Sequence, residues 1–249
     1  MIFLDVRNKV VIVTGASSGI GLATVKLLAK KGAKLALVSR SREKLERIAK
    51  RISNSLVVPN DMSNISEVKS MIEKVHRHFG KIDVLINCAG QGYDAPVEET
   101  NIETLCYIFD LDVVGPLVAM QQVIPIMKEH GGGTVINISS GTALMNLPGM
   151  SPYSSSKRAL AAISLAARQE LEKDNIVVSV VYPYITLTEF ERAGHAWGAP
   201  RAGIPCSGAC CAGARHRPGR RFLPGETPAT IAQQKSQLTP RKTRLRYLP

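Results

Sequence analysis

Over residues 1–192, short apolar runs alternate with longer amphipathic stretches. Residues 9–14 (KVVIVT) are apolar at every interior position and stop at a glycine, the pattern of a strand buried on both faces. Runs at 35–38, 56–58, 82–86, 134–138 and 176–181 repeat it. Between them lie helical periodicities. In 20–30, Ile20, Ala23, Leu27 and Leu28 fall on one side; 42–51 is charged; in 66–78, Val68, Met71, Ile72 and Val75 share a face. A long helix is predicted over 102–127, bent by Pro116, and another runs from Tyr153 to about 173. Strands that are apolar throughout, each followed by a helix, predict an α/β fold with a parallel sheet covered on both faces.

The pattern stops near Arg192. Residues 193–249 contain seven prolines, Cys206, Cys210 and Cys211, and no apolar strand. This divides the chain into a folded domain, 1–192, and an atypical basic tail, 193–249. The net charge of +12 belongs mostly to that tail. From Gly194 onward there are ten Lys/Arg and one acid, against 22 basic and 19 acidic side chains before it. The tail has few aromatics and no recognisable nucleic-acid module, so the charge reads as a disordered extension or a frame-shifted segment rather than a specific nucleic-acid site. His195, His216 and the three tail cysteines lack metal-ligand spacing, and no metal is expected. No apolar run is long enough to span a membrane. The N-terminus has no signal-peptide pattern, and five cysteines without framework spacing fit a reducing cytoplasm.

Chemistry enters at two places. Thr14-Gly15-Ala16-Ser17-Ser18-Gly19-Ile20-Gly21 ends the first strand and opens a helix. Glycines there let the backbone approach a pyrophosphate, and the helix N-terminus offers free N–H groups. The second strand ends in Ser39 and Arg40, with no acid to hold a ribose 2′-hydroxyl. A guanidinium suits a 2′-phosphate, which favours NADP(H) over NAD(H); a solvated basic loop is the competing reading. The second place is Tyr153 with Lys157, four residues apart on one helix face, and Ser140 thirteen residues before the tyrosine. A cation beside the phenol is expected to lower its pKa and make it an acid/base group.

Together these motifs resemble the short-chain dehydrogenase/reductases over about residues 6–192. The glycine motif matches Thr14 to Gly21, an Asn-Asn-Ala-Gly motif matches Asn87-Cys88-Ala89-Gly90, the catalytic serine matches Ser140, and Tyr-x-x-x-Lys matches Tyr153 and Lys157. The resemblance implies a Rossmann-type doubly wound sheet and hydride transfer between NADP(H) and a small carbonyl or secondary alcohol. Tyr153 would then be the acid/base, with Lys157 on the nicotinamide ribose and Ser140 on the carbonyl. It assigns cofactor contacts to Gly15, Ser17, Ser18, Gly19, Ile20, Gly21, Ser39, Arg40, Asp61, Met62, Asn87, Ala89, Gly90, Pro183, Ile185 and Thr188, besides Tyr153 and Lys157. Asp112 stands where the family has a catalytic asparagine. Either it is tolerated, or it cripples turnover and leaves a nucleotide-binding protein. Tyr184 stands where the family has glycine, a strained choice if that backbone needs positive φ. The family's lid and last strand are not recognisable after Arg192. Leu144, Met145, Leu147, Met150 and Tyr93 are expected to form an apolar substrate wall. The alanine-rich helix after Tyr153 packs on the sheet or meets another subunit, giving a homodimer or homotetramer if the C-terminus permits.

Overall fold

A computed structural model describes residues 5–184. Ile185, Thr188 and the tail lie outside the described residues. Six parallel strands form one sheet in the order β3-β2-β1-β4-β5-β6. They are β1 (Val10–Thr14), β2 (Lys34–Ser39), β3 (Ser55–Pro59), β4 (Val84–Asn87), β5 (Gly133–Ile138) and β6 (Ile176–Val181). The helices are α1 (Gly19–Lys30), α2 (Arg42–Ala49), α3 (Ile65–Phe79), α4 (Ile102–Phe109), α5 (Gly115–Glu129) and α6 (Ser151–Leu171).

The sheet separates two cores, which explains why its strands are apolar at successive positions. Val10 and Ile12 face a cluster with Val68, Met71, Ile72 and Val75 of α3 and Met120, Val123 and Met127 of α5. Val11 and Val13 face the other cluster, with Val25 and Leu28 of α1 and Leu45 of α2. Each such side chain stabilises the fold by about 1.5–3 kcal/mol through burial. On α1 the buried face is Gly21, Val25 and Leu28; Ala23 is exposed and Leu27 is 55% exposed, contrary to the expected stripe. The reason is Gly21, whose missing side chain lets α1 lie against the backbone of Gly15. A Cβ at Gly21 would run into the Gly15 carbonyl, so the contact face is turned toward a residue that hydrophobicity does not mark.

The expected long helix is interrupted. α4 passes into a π-helical turn, Asp110–Val114, before α5 begins. Pro116 sits in the first turn of α5. It has no N–H to give the Asp112 carbonyl four residues back, and its ring would crowd that carbonyl. The irregularity is therefore a widened turn ahead of Pro116, not a bend at it. α3 shows ordinary end chemistry: Asn64 accepts from the N–H groups of Ser66 and Glu67, and Gly80 closes the helix at φ +77°.

The chain travels outward from β1 to β2 and β3, then returns to β4 on the other side of β1. A crevice opens between the C-terminal ends of β1 and β4, where open α/β sheets bind ligands. Thr14 fastens its floor: its hydroxyl accepts from the N–H groups of Cys88 and Ala89, both at 3.0 Å.

Candidate active site

A cavity of about 840 Å³ occupies this crevice. Gly15, Ser17, Ser18, Gly19, Ile20 and Gly21 line one side, and Ala89 and Gly90 the other. Gly15 has φ +68°, and a Cβ there would lie 2.9 Å from the Ala89 nitrogen. Ser18 is the N-cap of α1 but makes no side-chain cap bond, so the first turn keeps its donors for a ligand. At one end of the cavity lie Ser39, Arg40, Ser41, Lys44, Asn60, Asp61 and Met62. Arg40 donates to the Tyr107 hydroxyl at 3.0 Å, and Asp61 accepts from the Ser63 N–H and hydroxyl. Ser39 Oγ and Asn60 Oδ1 are buried without a hydrogen-bond partner. Orphaned polar atoms beside two cations and a row of helix N–H groups fit an elongated anionic ligand of dinucleotide length.

Asn87 alone among the described cofactor candidates does not line the cavity; nor does Asp112, the candidate at the catalytic asparagine position. Its amide donates to Asn137 Oδ1 at 2.8 Å, and Asn137 donates to Ser164 Oγ at 2.7 Å. This buried chain ties β4 to β5 and to α6. It was not legible from spacing, because its members are 50 and 27 residues apart.

At the other end of the cavity, Ser140, Tyr153 and Lys157 come together with Pro183 and Tyr184. β5 delivers Ser140, and α6 delivers the other two from its first turns. The Ser139 hydroxyl donates to the Lys157 carbonyl at 2.9 Å and clamps helix to strand. The Ser140 hydroxyl faces the Tyr153 phenol and accepts from the N–H and hydroxyl of Thr142. Lys157 Nζ lies 5.7 Å from the centre of the Tyr153 ring, 3.4 Å from the Ile138 carbonyl and 3.3 Å from Asp112 Oδ2. Asp112 is fully buried behind the cavity wall. The expected lowering of the tyrosine pKa is corrected here. Burial pushes the phenol up, Lys157 pulls it down, Asp112 pushes it up again, and the balance is above its ordinary value. Burial lowers Lys157, but Asp112, Tyr153 and Cys88 together outweigh it and hold the ammonium above its usual range.

Tyr184 does not carry the expected strain; the non-glycine residues with positive φ are Asn8, Asn54 and Asn175 among the described residues. The apolar wall is only partly as expected. Met145, Leu147 and Met150 line the cavity. Leu144 is 69% exposed and not part of the lining, and the Tyr93 hydroxyl is spent on the Asn101 N–H at 2.8 Å. Gln91, Asp94 and Thr142 add polar groups that sequence reasoning missed. So was Arg158, which fastens the wall from outside: it donates to the carbonyls of Ala143 and Met145 and to Asn146 Oδ1. Lys44, also missed, has a readable signal, since it stands four residues after Arg40 at the start of α2.

A glycine turn at the switch point and a hydroxyl–phenol–ammonium cluster on the same cavity define a class, the dinucleotide-dependent α/β oxidoreductases. The chain belongs to the short chain dehydrogenase family, whose model matches residues 9–198. An uncharacterized oxidoreductase of Staphylococcus saprophyticus is 35% identical over 189 residues, 74% of this chain and 77% of the relative. L-sorbose reductase from Gluconobacter frateurii, solved with NADPH and L-sorbose, superposes with a TM-score of 0.73 at 32% identity, covering 75% of this chain and 73% of that one. The 3-ketoacyl-(acyl-carrier-protein) reductase from Brucella melitensis, solved with NADH, gives 0.72 at 28% identity over 76% and 80%.

Proposed function

We propose that the protein is an NADP(H)-dependent oxidoreductase that interconverts a small carbonyl compound and its secondary alcohol. The observation that carries this reading is the convergence of Ser140, Tyr153 and Lys157 on a cavity whose far end is basic. Reduced nicotinamide supplies the hydride when it is bound. Ser140 orients the carbonyl oxygen, and Tyr153 gives that oxygen its proton as the carbon receives the hydride; the phenolate then takes a proton back from solvent. In oxidation the phenolate accepts the hydroxyl proton instead. Lys157 holds the ribose. The glycine turn from Gly15 to Gly21 takes the pyrophosphate, with Ala89, Gly90, Asp61, Met62 and Pro183 completing the cofactor walls.

The preference for NADP(H) rests on Arg40 and Lys44, since solved relatives carry NADPH in one case and NADH in the other. The Met145, Leu147 and Met150 wall supports a substrate with an apolar portion, met by Gln91, Asp94 and Thr142 on the polar side. A reducing cytoplasm suits the free thiol of Cys88. No helix of the described residues is long and apolar enough to cross a membrane.

Titration of the purified chain with NADPH and NADH, followed by assay on ketones and aldehydes, tests the reading. Turnover with NADPH, lost about 10²–10⁴-fold in Tyr153→Phe with NADPH binding kept, supports it. Arg40→Ser should weaken NADPH about 10–100-fold and leave NADH nearly unchanged, the worth of one charge-assisted contact of about 1.5–3 kcal/mol. A second reading, a nucleotide-binding protein with little turnover, is favoured by the Asp112–Lys157 contact. Tight NADPH binding with no turnover on any carbonyl would select it.

A further inference from the structure

The π-helical turn brings a carboxylate to the lysine that serves Tyr153. Asp112 Oδ2 is 3.3 Å from Lys157 Nζ, and the two side chains are 0% and 5% exposed. Asp112 Oδ1 accepts from the Gln91 N–H at 3.2 Å, and Ser156 Oγ lies 3.2 Å from Oδ2. Glycine at position 90 permits this packing: a Cβ there would lie 2.8 Å from Lys157 Nζ and 2.9 Å from Asp112 Oδ1. Burial pushes the Asp112 carboxyl above its ordinary value, against the pull of Lys157 and the Gln91 N–H. With the Lys157 ammonium 3.3 Å away and itself held above its usual range, the contact is that of an ion pair.

The consequence is a matter of charge geometry. A lone buried ammonium acts on a nearby phenol as a full charge. Paired with a carboxylate it acts as a dipole, and its pull falls off faster with distance. The groups that face Tyr153 are Lys157 on its own helix, Asp112 from the π-helical turn, Asp94 from the loop after β4 and the Ser140 hydroxyl. Cys88 at the end of β4 faces Lys157, and Tyr107 of α4 faces Asp112. Two carboxylates thus oppose one ammonium around the phenol.

We propose that Asp112 is a positioning residue that claims the Lys157 ammonium as its counter-ion, so that the ammonium's charge is partly withheld from the Tyr153 phenol and the pH ranges of carbonyl reduction and alcohol oxidation are both displaced upward. The proposal rests on the reading of Tyr153 as the acid/base. It assigns the pH range of proton transfer to a residue that does not line the cavity.

The test compares the full chain with Asp112→Asn, which keeps the shape and removes the charge, and with Asp112→Ser, which removes it in a smaller side chain. The first readout is the ultraviolet titration of the tyrosinate band, taken as the difference from Tyr153→Phe in the same background; it needs no turnover. The second is the pH profile of kcat/KM for alcohol oxidation with NADP⁺ and for carbonyl reduction with NADPH. Neutralising position 112 should lower the Tyr153 midpoint by about one unit or more. Oxidation below the original midpoint should rise about tenfold, and the alkaline loss of reduction should begin at lower pH, since one unit is a tenfold change in phenolate. A midpoint that stays or rises in both variants overturns the proposal. So does loss of the native far-ultraviolet spectrum and of NADPH binding in both, which makes Asp112 a folding element. If the midpoint falls but the unaltered chain turns over no carbonyl, the pairing stands and the functional reading is what fails.

Discussion

At the residue scale, position decides chemistry more than residue type does. Cys88 lines the cavity in the place of a motif asparagine, and its location suggests a reactive thiol. Its surroundings say otherwise. Burial pushes the thiol up, and neither Lys157 nor the Gly21 N–H brings it back, so it stands at about 11. A thiolate is the reactive species, and about three pH units below that value only about one thiol in a thousand is ionised. Iodoacetamide at pH 8 should therefore label Cys88 at least a hundredfold more slowly than a free cysteine, with the rate rising about tenfold per pH unit toward 11. Quantifying the Cys88 peptide by mass spectrometry checks this, and labelling at the rate of a free thiol would contradict it. Asp83 shows the reverse balance. Burial raises its carboxyl, but the Val10 N–H, Lys81 and Lys9 outweigh it and hold the group below its ordinary value. A depressed folded-state pKa contributes stability that is present above the unfolded value of about 3.9 and lost as pH falls through the folded value. Asp83→Ala should cost about 1–3 kcal/mol in urea unfolding at pH 7, because it leaves the buried Val10 N–H without an acceptor, and the electrostatic part of that loss should vanish once the pH has fallen through the depressed folded-state value.

At the element scale, the substrate wall is a segment held by one side chain. Met145 and Leu147 precede α6, and Arg158 reaches back from that helix to three acceptors on the segment, with distances of 2.8, 3.2 and 3.3 Å. A lysine cannot reproduce the planar fork. Arg158→Lys should raise KM for the carbonyl substrate about tenfold, with NADPH affinity within about twofold of the original, because the cofactor end of the cavity shares no contact with Arg158. Equal losses in both would show that α6 itself had shifted. The strands were legible in the sequence to within two residues because burial on both faces leaves little but apolar side chains at their centres. Ser140, Tyr153, Lys157 and the glycine turn were legible because each sits at the end of a strand or the start of a helix, where pattern and chemistry change together. The interruption of the long helix was not. Helical periodicity continues through it, and the π-helical turn arises from what Pro116 does to a carbonyl four residues back. The face of α1 was hidden for a related reason: Gly21 sets the contact through the atoms it lacks.

At the scale of the whole molecule, the two faces of the sheet are covered unequally among the described residues. α3, α5 and α6 pack on the face that buries Ile176 and Val178 of β6. On the opposite face, α1 and α2 cover β1, β2 and β4. Val177 and Val181 point to that opposite face from β6 and are 57% and 43% exposed. Among the described residues β6 is also the last strand of the sheet, with β5 as its neighbour. An edge strand presents unpaired backbone groups, and apolar side chains beside such an edge invite association with another chain. Lysine on an edge strand opposes that association by placing charge where a second strand would pair. Val177→Lys together with Val181→Lys should therefore shift light-scattering mass toward the monomer and lower the binding of a hydrophobic dye, while NADPH binding stays as it was, since neither residue lines the cavity. Unchanged mass and unchanged dye binding would mean that this face is not where the molecule associates. A loss of NADPH binding alongside the mass shift would carry a different meaning: β6 leads directly into Pro183 and Tyr184, so an altered edge would then be felt at the cavity wall through the backbone.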